Sequence, residues 1–247
     1  MLPPVPETHF DEWIAEHYDN LWPELFEPAF VEASLDVLTD LAGGGPALEF
    51  GIGTGRIALP LSQRGVTVHG IELSPPMITR LRAQAGASKV GVTLGDFATA
   101  TVDGSFSLVY LLRNTITNLT SQDEQVWCFR NAARHLRPGG VFLIENYVPE
   151  LQRIPPGETT HVFTATPTHI GVGEYDVVDQ IEVSRHWWAI DGELRTFSSP
   201  HRYVWPSELD LMARLAGMRL RNRWGGWQRE TFGRGSRTHI SVWEKAT

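Results

Sequence analysis

The stretch Glu49-Phe50-Gly51-Ile52-Gly53-Thr54-Gly55-Arg56 decides the reading of this chain. It joins a short apolar strand, Ala47 to Phe50, to a segment of helical spacing from about Gly55 to Arg64. Glycines at such a junction let the backbone turn sharply and lie against a ligand that a Cβ would push away. The spacing is G-x-G-x-G, with an acid two positions before the first glycine. A dinucleotide fingerprint would carry its third glycine where Arg56 stands. A bare G-x-G match is also what a plain glycine-rich turn presents, so the flanking elements carry the weight.

Downstream, Thr67 to Leu73 reads as a second strand ending at Glu72, about 20 residues on, where an acid accepts both hydroxyls of a ribose. Ser74 caps the next helix, with Pro75 at its first position. Val90 to Leu94 is a third strand. Gly95-Asp96-Phe97 follows it, with Asp96 placed to accept from an adenine amino group and Phe97 to stack nearby. Phe106 to Leu112 is a fourth strand. Thr120 is the expected cap of a long helix to Leu136, stopped by Arg137-Pro138-Gly139-Gly140, and Val141 to Tyr147 is a fifth strand. Apolar strands alternating with helices predict a parallel sheet buried on both faces, with its ligand crevice at the carboxyl ends of the strands. Pro60 conflicts with a helix that starts at Gly55.

Upstream, Trp13, Ile14, Tyr18 and Leu21 recur at helical spacing after Thr8 and Asp11, which have capping-box spacing. A second helix runs from about Pro28 to Leu41, ended by Gly43-Gly44-Gly45. From Pro149 to about Trp205 the period changes to two. Asp191-Gly192 sits where a tight hairpin turn would, and a two-residue turn pairs His186 with Phe197 and Trp188 with Arg195. Glu182, Ser184, His186 and Trp188 then share a face with Phe197, His201 and Tyr203. Ile181, Val183, Trp187 and Leu194 share the other, which reads as core. Ser207 is the expected cap of a last helix through Ala216. Arg219 to Trp224 and Thr238 to Trp243 close the chain as strands.

With EFGIGTGR, GIELS, GDF and LRPGG in this order, the chain resembles the class I methyltransferases that use S-adenosylmethionine (SAM), most strongly over Ala47 to Tyr147. The resemblance implies a Rossmann-like, mostly parallel seven-stranded sheet with helices on both faces and an inserted antiparallel β lobe. It implies one domain: a helical lid at 1–45, a SAM-binding core at 46–148, a substrate lid at 149–205, and the last helix and closing strands at 206–247. By resemblance, Glu49, Gly51, Gly53, Thr54, Gly55 and Arg56 hold the methionine part. Glu72, with Leu73 and Met77 beside it, holds the ribose, and Asp96 with Phe97 the adenine. Leu112 and Asn114 pass beside the sulfonium, and Tyr18 closes over the methionine carboxylate. The insertion resembles the lid sheet of natural-product methyltransferases, amino-sugar N-methyltransferases among them. This points to a small-molecule nitrogen or oxygen acceptor.

A base is needed only where the nucleophile arrives protonated; His186 and Tyr147 are the catalytic candidates. A lone strand histidine is also a routine packing group. Arg113, Asn146, Trp188, Tyr203 and Trp227 are the candidate acceptor contacts. Beside a sulfonium, Arg113 must point away, join a salt bridge or hold an acidic substrate group. Trp127 and Trp243 are expected in the core or a subunit interface, and Cys128 as buried filler. The histidines lack ligand spacing, which predicts no metal.

The 247 residues carry 21 Lys and Arg against 29 Asp and Glu, a formal net charge of -8, with no basic run. That balance argues against nucleic acid and anionic membrane surfaces as partners. Cys128 is the only cysteine, Met1 to Trp13 has no signal pattern, and no apolar run spans a bilayer, so a cytoplasmic protein is expected. An exposed inserted sheet could pair across a two-fold axis as a homodimer. The rival readings, in order, are a non-catalytic SAM-binding regulatory or scaffolding protein and an NAD-linked oxidoreductase. A macromolecular methyltransferase would need a basic groove or a peptide cleft.

Overall fold

The computed structural model describes residues 9–190 and 192–246. Thr8 and Asp191, on which a cap and a turn were expected, lie outside the described residues. The chain opens with α1 (Glu12–Leu21), whose N-cap Asp11 accepts from the Ile14 amide, and α2 (Pro28–Ala42), ended by Gly43 in the left-handed region. Then follow β1 (Ala47–Phe50), α3 (Ala58–Gln63), β2 (Val68–Glu72), α4 (Pro75–Arg82), β3 (Gly91–Leu94), β4 (Phe106–Leu111), α5 (Gln122–His135) and β5 (Leu136–Tyr147). Strands β6 (Thr160–Ala165), β7 (His169–Asp176), β8 (Ile181–Ile190) and β9 (Glu193–Arg202) form the insertion. The chain finishes with α6 (Pro206–Leu215), β10 (Met218–Trp224) and β11 (Thr238–Lys245).

The main sheet has the order β10-β11-β5-β4-β1-β2-β3. Strands β3, β2, β1, β4 and β5 run parallel, and β11 and β10 complete the edge antiparallel. Strands β1 and β4 are buried along their whole length, as strands with helices on both faces must be. Leu38, Leu59 and Leu61 of α2 and α3 cover one face; Phe129, Leu209 and Met212 of α5 and α6 cover the other. The strand order reverses between β1 and β4, so the crevice opens between the glycine loop after β1 and the Arg113-Asn114 segment after β4. This is the Rossmann-like α/β fold with its antiparallel lobe.

Three helix starts differ from the sequence expectation. Helix α3 begins at Ala58, so Pro60 falls in the first turn, where amides lack intrahelical partners and its conflict disappears. Ser121, not Thr120, caps α5, because Glu124 then stands three residues on and completes the capping box. Helix α6 starts at Pro206, with Trp205 rather than Ser207 at its N-cap, because proline is pre-set for the first helical position. Trp243 is fully buried, as is Cys128, while Trp127 stands 46 % exposed on the outer side of α5.

The inserted sheet, order β6-β7-β8-β9, pairs His186 with Phe197 and Trp188 with Arg195, the register a two-residue turn demands. Its faces are the reverse of the reading by hydrophobicity. Ser184, His186 and Trp188 are buried, whereas Leu194, on the face read as core, is 69 % exposed and Trp187 only partly covered. Helix α1 is the reason: Trp188 packs against Trp13 and Trp22, in one cluster with Ile14 and Leu21, and draws the polar face inward.

Candidate active site

The glycine loop is held to β2 by amides of Gly51 and Ile52 donating to the Ile71 carbonyl. Gly51 has φ +66°, and a Cβ there would stand 3.0 Å from Thr115 Cγ2. A side chain would therefore close the crevice between this loop and the end of β4. The Glu72 carboxylate is buried and doubly engaged: Oε2 accepts from the Gly53 amide and Oε1 from the Ser74 amide, each at 2.8 Å. Burial pushes its pKa up, and the amides of Ser74, Gly53 and Leu73 oppose this. Leu73 is half-buried beside it; Met77 is buried, its amide donating to the Ser74 cap oxygen.

Glu49 lies buried under the loop and accepts from the Tyr110 hydroxyl at 2.9 Å. Burial raises its pKa to about 8, against the pull of Tyr110 and Arg56. The Thr54 hydroxyl is buried with no partner among the described residues. Arg56 donates to the Leu25 carbonyl and lies over the Phe30 ring, which ties the loop to the segment between α1 and α2.

Helix α1 leans over this crevice. The Ser74 hydroxyl donates to the Phe10 carbonyl at 2.6 Å and pins the segment before α1 to the start of α4. Tyr18 is packed by Phe10, Trp22 and Phe26. Its pKa is raised by burial, and the charges of Arg56, Arg113 and Glu72 all act on its hydroxyl. Tyr18 therefore stands between the glycine loop, β2 and β4. At the far strand, Asp96 Oδ1 accepts from the Ala98 amide and burial pushes its pKa up. The Phe97 ring does not face the crevice: it stacks on Phe50 within the core, so its backbone is the part at the rim.

Beyond β4, Leu112 is buried and Arg113 and Asn114 both adopt positive φ, +54° and +58°. Such backbone is held only by its surroundings. Asn114 Oδ1 accepts from the Tyr147 amide and its own amide donates to the Glu145 carbonyl. Glu145 also accepts from the Arg113 amide and the Trp227 indole, both at 2.9 Å. The Arg113 guanidinium pairs with Glu24 at 3.3 Å, the salt-bridge alternative.

A cavity of about 710 Å³ opens beside this segment. It is bounded by Tyr18 and Trp22 of the N-terminal helical region, by Arg113 to Thr115, by Tyr147, and by the inner face of the inserted sheet. His186 faces it. Its Nδ1 lies 2.9 Å from His169 Nε2, its Nε2 lies 2.8 Å from Ser184 Oγ, and its ring stacks on Trp188. Burial, with His169 and His201 nearby, lowers its pKa to about 4, so the imidazole is neutral at pH 7. His201 is similar, bonded to Ser199 and Thr117, its pKa lowered to about 4 by burial and by His9. Tyr147 donates to Glu182 at 3.2 Å.

Four of the acceptor candidates do not line this cavity. Strand alternation sends Tyr147 inward and Asn146 to the opposite face of β5, fully buried across from His239. Trp188 is covered by α1, Tyr203 lies buried against Tyr175, and Trp227 belongs to the core on the α2 side. Sequence reasoning passed over His169, Thr117 and Glu24. Their contacts to His186, His201 and Arg113 join elements that no local spacing relates.

These features fit SAM. A loop that a Cβ would obstruct, an orphaned hydroxyl at Thr54, two buried carboxyls at Glu49 and Glu72 and a half-buried one at Asp96 suit a ligand with an amino group, a ribose and an adenine. Residues 47–140 match the family model described as a methyltransferase domain. Along its whole length the chain is similar to the CcbJ methyltransferase of Streptomyces caelestis, at 35% identity and TM-score 0.87, covering 98% of this chain and 100% of that one. It is 27% identical to the cypemycin N-terminal methyltransferase of a Streptomyces species, over 96% of this chain and 97% of the relative. The SAM-bound amino pentose methyltransferase CalS10 of Micromonospora echinaspora shares the fold at TM-score 0.66 and 17% identity, covering 98% and 99% of the two chains.

Proposed function

This chain belongs to the class I SAM-dependent methyltransferases, and from that premise we propose that it methylates a nitrogen or oxygen of a small molecule held under the inserted sheet. The observation that carries this is the cavity itself: Tyr18 and Asn114 line it while also bordering the donor crevice. The names of the relatives favour nitrogen. One is named for the N-terminus of cypemycin and another for an amino pentose.

In this reading residues 1–45 close over the donor, 46–148 bind it, 149–205 hold the acceptor and 206–247 complete the sheet. Glu49, Gly51, Gly53, Thr54, Gly55, Arg56 and Tyr18 would hold the methionine end. Glu72, Leu73 and Met77 would take the ribose, Asp96 and the Phe97 backbone the adenine, and Leu112 with Asn114 the sulfur side. SAM supplies a methyl group made electrophilic by its sulfonium, for in-line transfer.

The protein then has chiefly to align the acceptor, a task that can contribute roughly 7–11 kcal/mol. The strained Arg113-Asn114 backbone, fixed by Glu145 and by the Tyr147 amide, gives the rim a set shape. Pairing Arg113 with Glu24 would offset a cation's charge near the sulfur. Neutral His186 has both ring nitrogens bonded, Nδ1 to His169 and Nε2 to Ser184, so it would meet the acceptor's proton by exchanging one of these bonds.

His186→Ala is expected to lower kcat at least about tenfold, the low end of what a positioned proton-handling group contributes, with affinity for S-adenosylhomocysteine unchanged. Normal turnover would remove His186 from the mechanism. The function as a whole is tested by titrating the protein with S-adenosylhomocysteine and, in parallel, NADH, then screening acceptors for product release. Micromolar binding of the first alone, roughly −8 kcal/mol, is expected. Failure of a folded, ligand-free protein to bind it would overturn the reading.

A further inference from the structure

The charged groups around the cavity are mostly spoken for. Glu24 is paired with Arg113, and Glu150 with Arg153 and Arg237. Glu182 is different. Among the described residues it has no ion pair, yet it lines the cavity from the middle of the inserted sheet. Its hydrogen-bond donors are the phenols of Tyr147 and Tyr175; burial pushes its pKa up, and these bonds, with His161 beyond ion-pair distance, favour the carboxylate against it.

The backbone makes room for this arrangement. A Cβ on Gly173 would fall 2.6 Å from Glu182 Oε1 and 2.9 Å from the Tyr175 ring. Bare backbone at Gly173 is therefore what allows carboxylate and phenol to lie across β7. A half-buried carboxylate with no cation carries a desolvation cost that a bound cation would offset. The remaining wall suits a cation too. Trp22, Phe163 and Phe197 present aromatic rings to the cavity, and such faces attract ammonium groups.

We propose that the methyl acceptor carries an amino group, taken up as its ammonium, and that Glu182 is the counter-ion that seats it. This rests on the reading of the cavity as the acceptor site. A neutral alcohol would leave Glu182 without its charge partner, and an anionic acceptor would meet it with like charge.

The test uses the full chain saturated with S-adenosylhomocysteine. Two matched probe pairs are titrated: methyl glycosides of amino-deoxy hexoses against the parent hexosides, and short peptides with free against acetylated N-termini. At least one amine is expected to bind, with its uncharged partner at least about tenfold weaker. Glu182→Gln is expected to erase that preference while leaving S-adenosylhomocysteine affinity unchanged. Gly173→Ala, which displaces the carboxylate without removing it, is expected to weaken the amine in the same way. Binding by the uncharged partners in preference, an amine preference that survives Glu182→Gln, or no binding by any amine would each overturn the proposal. Loss of S-adenosylhomocysteine binding by the folded wild-type protein would instead strike the methyl-transfer reading beneath it.

Discussion

Glu72→Ala is expected to raise the dissociation constant for S-adenosylhomocysteine about a hundredfold, or roughly 2.7 kcal/mol. The carboxylate has two tasks. Its two oxygens hold the amides of Gly53 and Ser74, fixing the glycine loop against the start of α4. In the proposed complex it also accepts from the ribose. A hydrogen bond to a charged group contributes about 1.5–3 kcal/mol, so losing the ribose contact and loosening the loop together reach the stated loss. Glu72→Gln keeps one carbonyl acceptor but turns an NH2 group toward an amide donor, and an intermediate loss is expected. Calorimetric titration beside circular dichroism separates lost binding from lost folding. An affinity within threefold of wild type for the folded alanine variant would remove Glu72 from the cofactor site.

Arg202→Met is expected to destabilise the protein by about 3–5 kcal/mol. Arg202 is buried at the end of β9 and bonds Gln125 of α5 at 2.6 Å, Gln180 at 2.9 Å and Glu208 of α6 at 2.6 Å. The Gln125 amide returns a bond to the Arg202 carbonyl. This hub joins the inserted sheet to both helices beneath it. Removing one partner leaves Glu208 largely buried without its cation, which costs more than the pair itself supplies. At about 2–4 °C per kcal/mol for a chain of this size, the melting temperature should fall by about 10 °C. The double variant Arg202→Met, Glu208→Leu should recover much of the loss, and a fall below about 1 kcal/mol in the single variant would refute the hub.

Acid provides an independent check on the same hub. Burial pushes the Glu208 pKa up, but hydrogen bonds from Arg202, Gln122 and Gln180 more than reverse this and leave it below its ordinary 4.5. A depressed carboxyl pKa contributes stability that is present above the unfolded value and is lost as pH falls through the folded one. Wild type should therefore lose this contribution below about pH 4.5, and Glu208→Gln should lack that part of the acid slope. Denaturant midpoints at pH 7 and in acid measure it.

The glycine-loop side of the crevice was legible because its signals are local. The β1-glycine loop-α3 junction, Glu72 at the end of β2 and Asp96 after β3 each follow from strand, turn and cap chemistry over a few residues. Even the register of β8 against β9 followed from the length of one turn. Where local signals compete, a near miss results: Thr120 and Ser121 are both good caps, and the position of Glu124 decides between them.

The cavity under the inserted sheet required the tertiary structure. Period-two alternation says that His186 and Leu194 lie on opposite faces of the inserted sheet, but not which face turns inward. Hydrophobicity misleads there, because one face lines a cavity and the other is left partly or largely exposed among the described residues, so neither needs to be an apolar core. Packing of Trp188 onto α1, about 170 residues earlier in the chain, makes the choice. The same holds for Phe97, whose ring the core claims, and for Glu182, which has no ion pair among the described residues while Arg113, Arg153 and Arg237 pair with other carboxylates. The sequence by itself determined the sheet and its glycine loop, since backbone conformation and strand order are set by near neighbours and by the α/β rhythm. Only the tertiary structure decided the inward face of the lid and the charge balance of its cavity, since both depend on which distant side chains arrive to pair and pack.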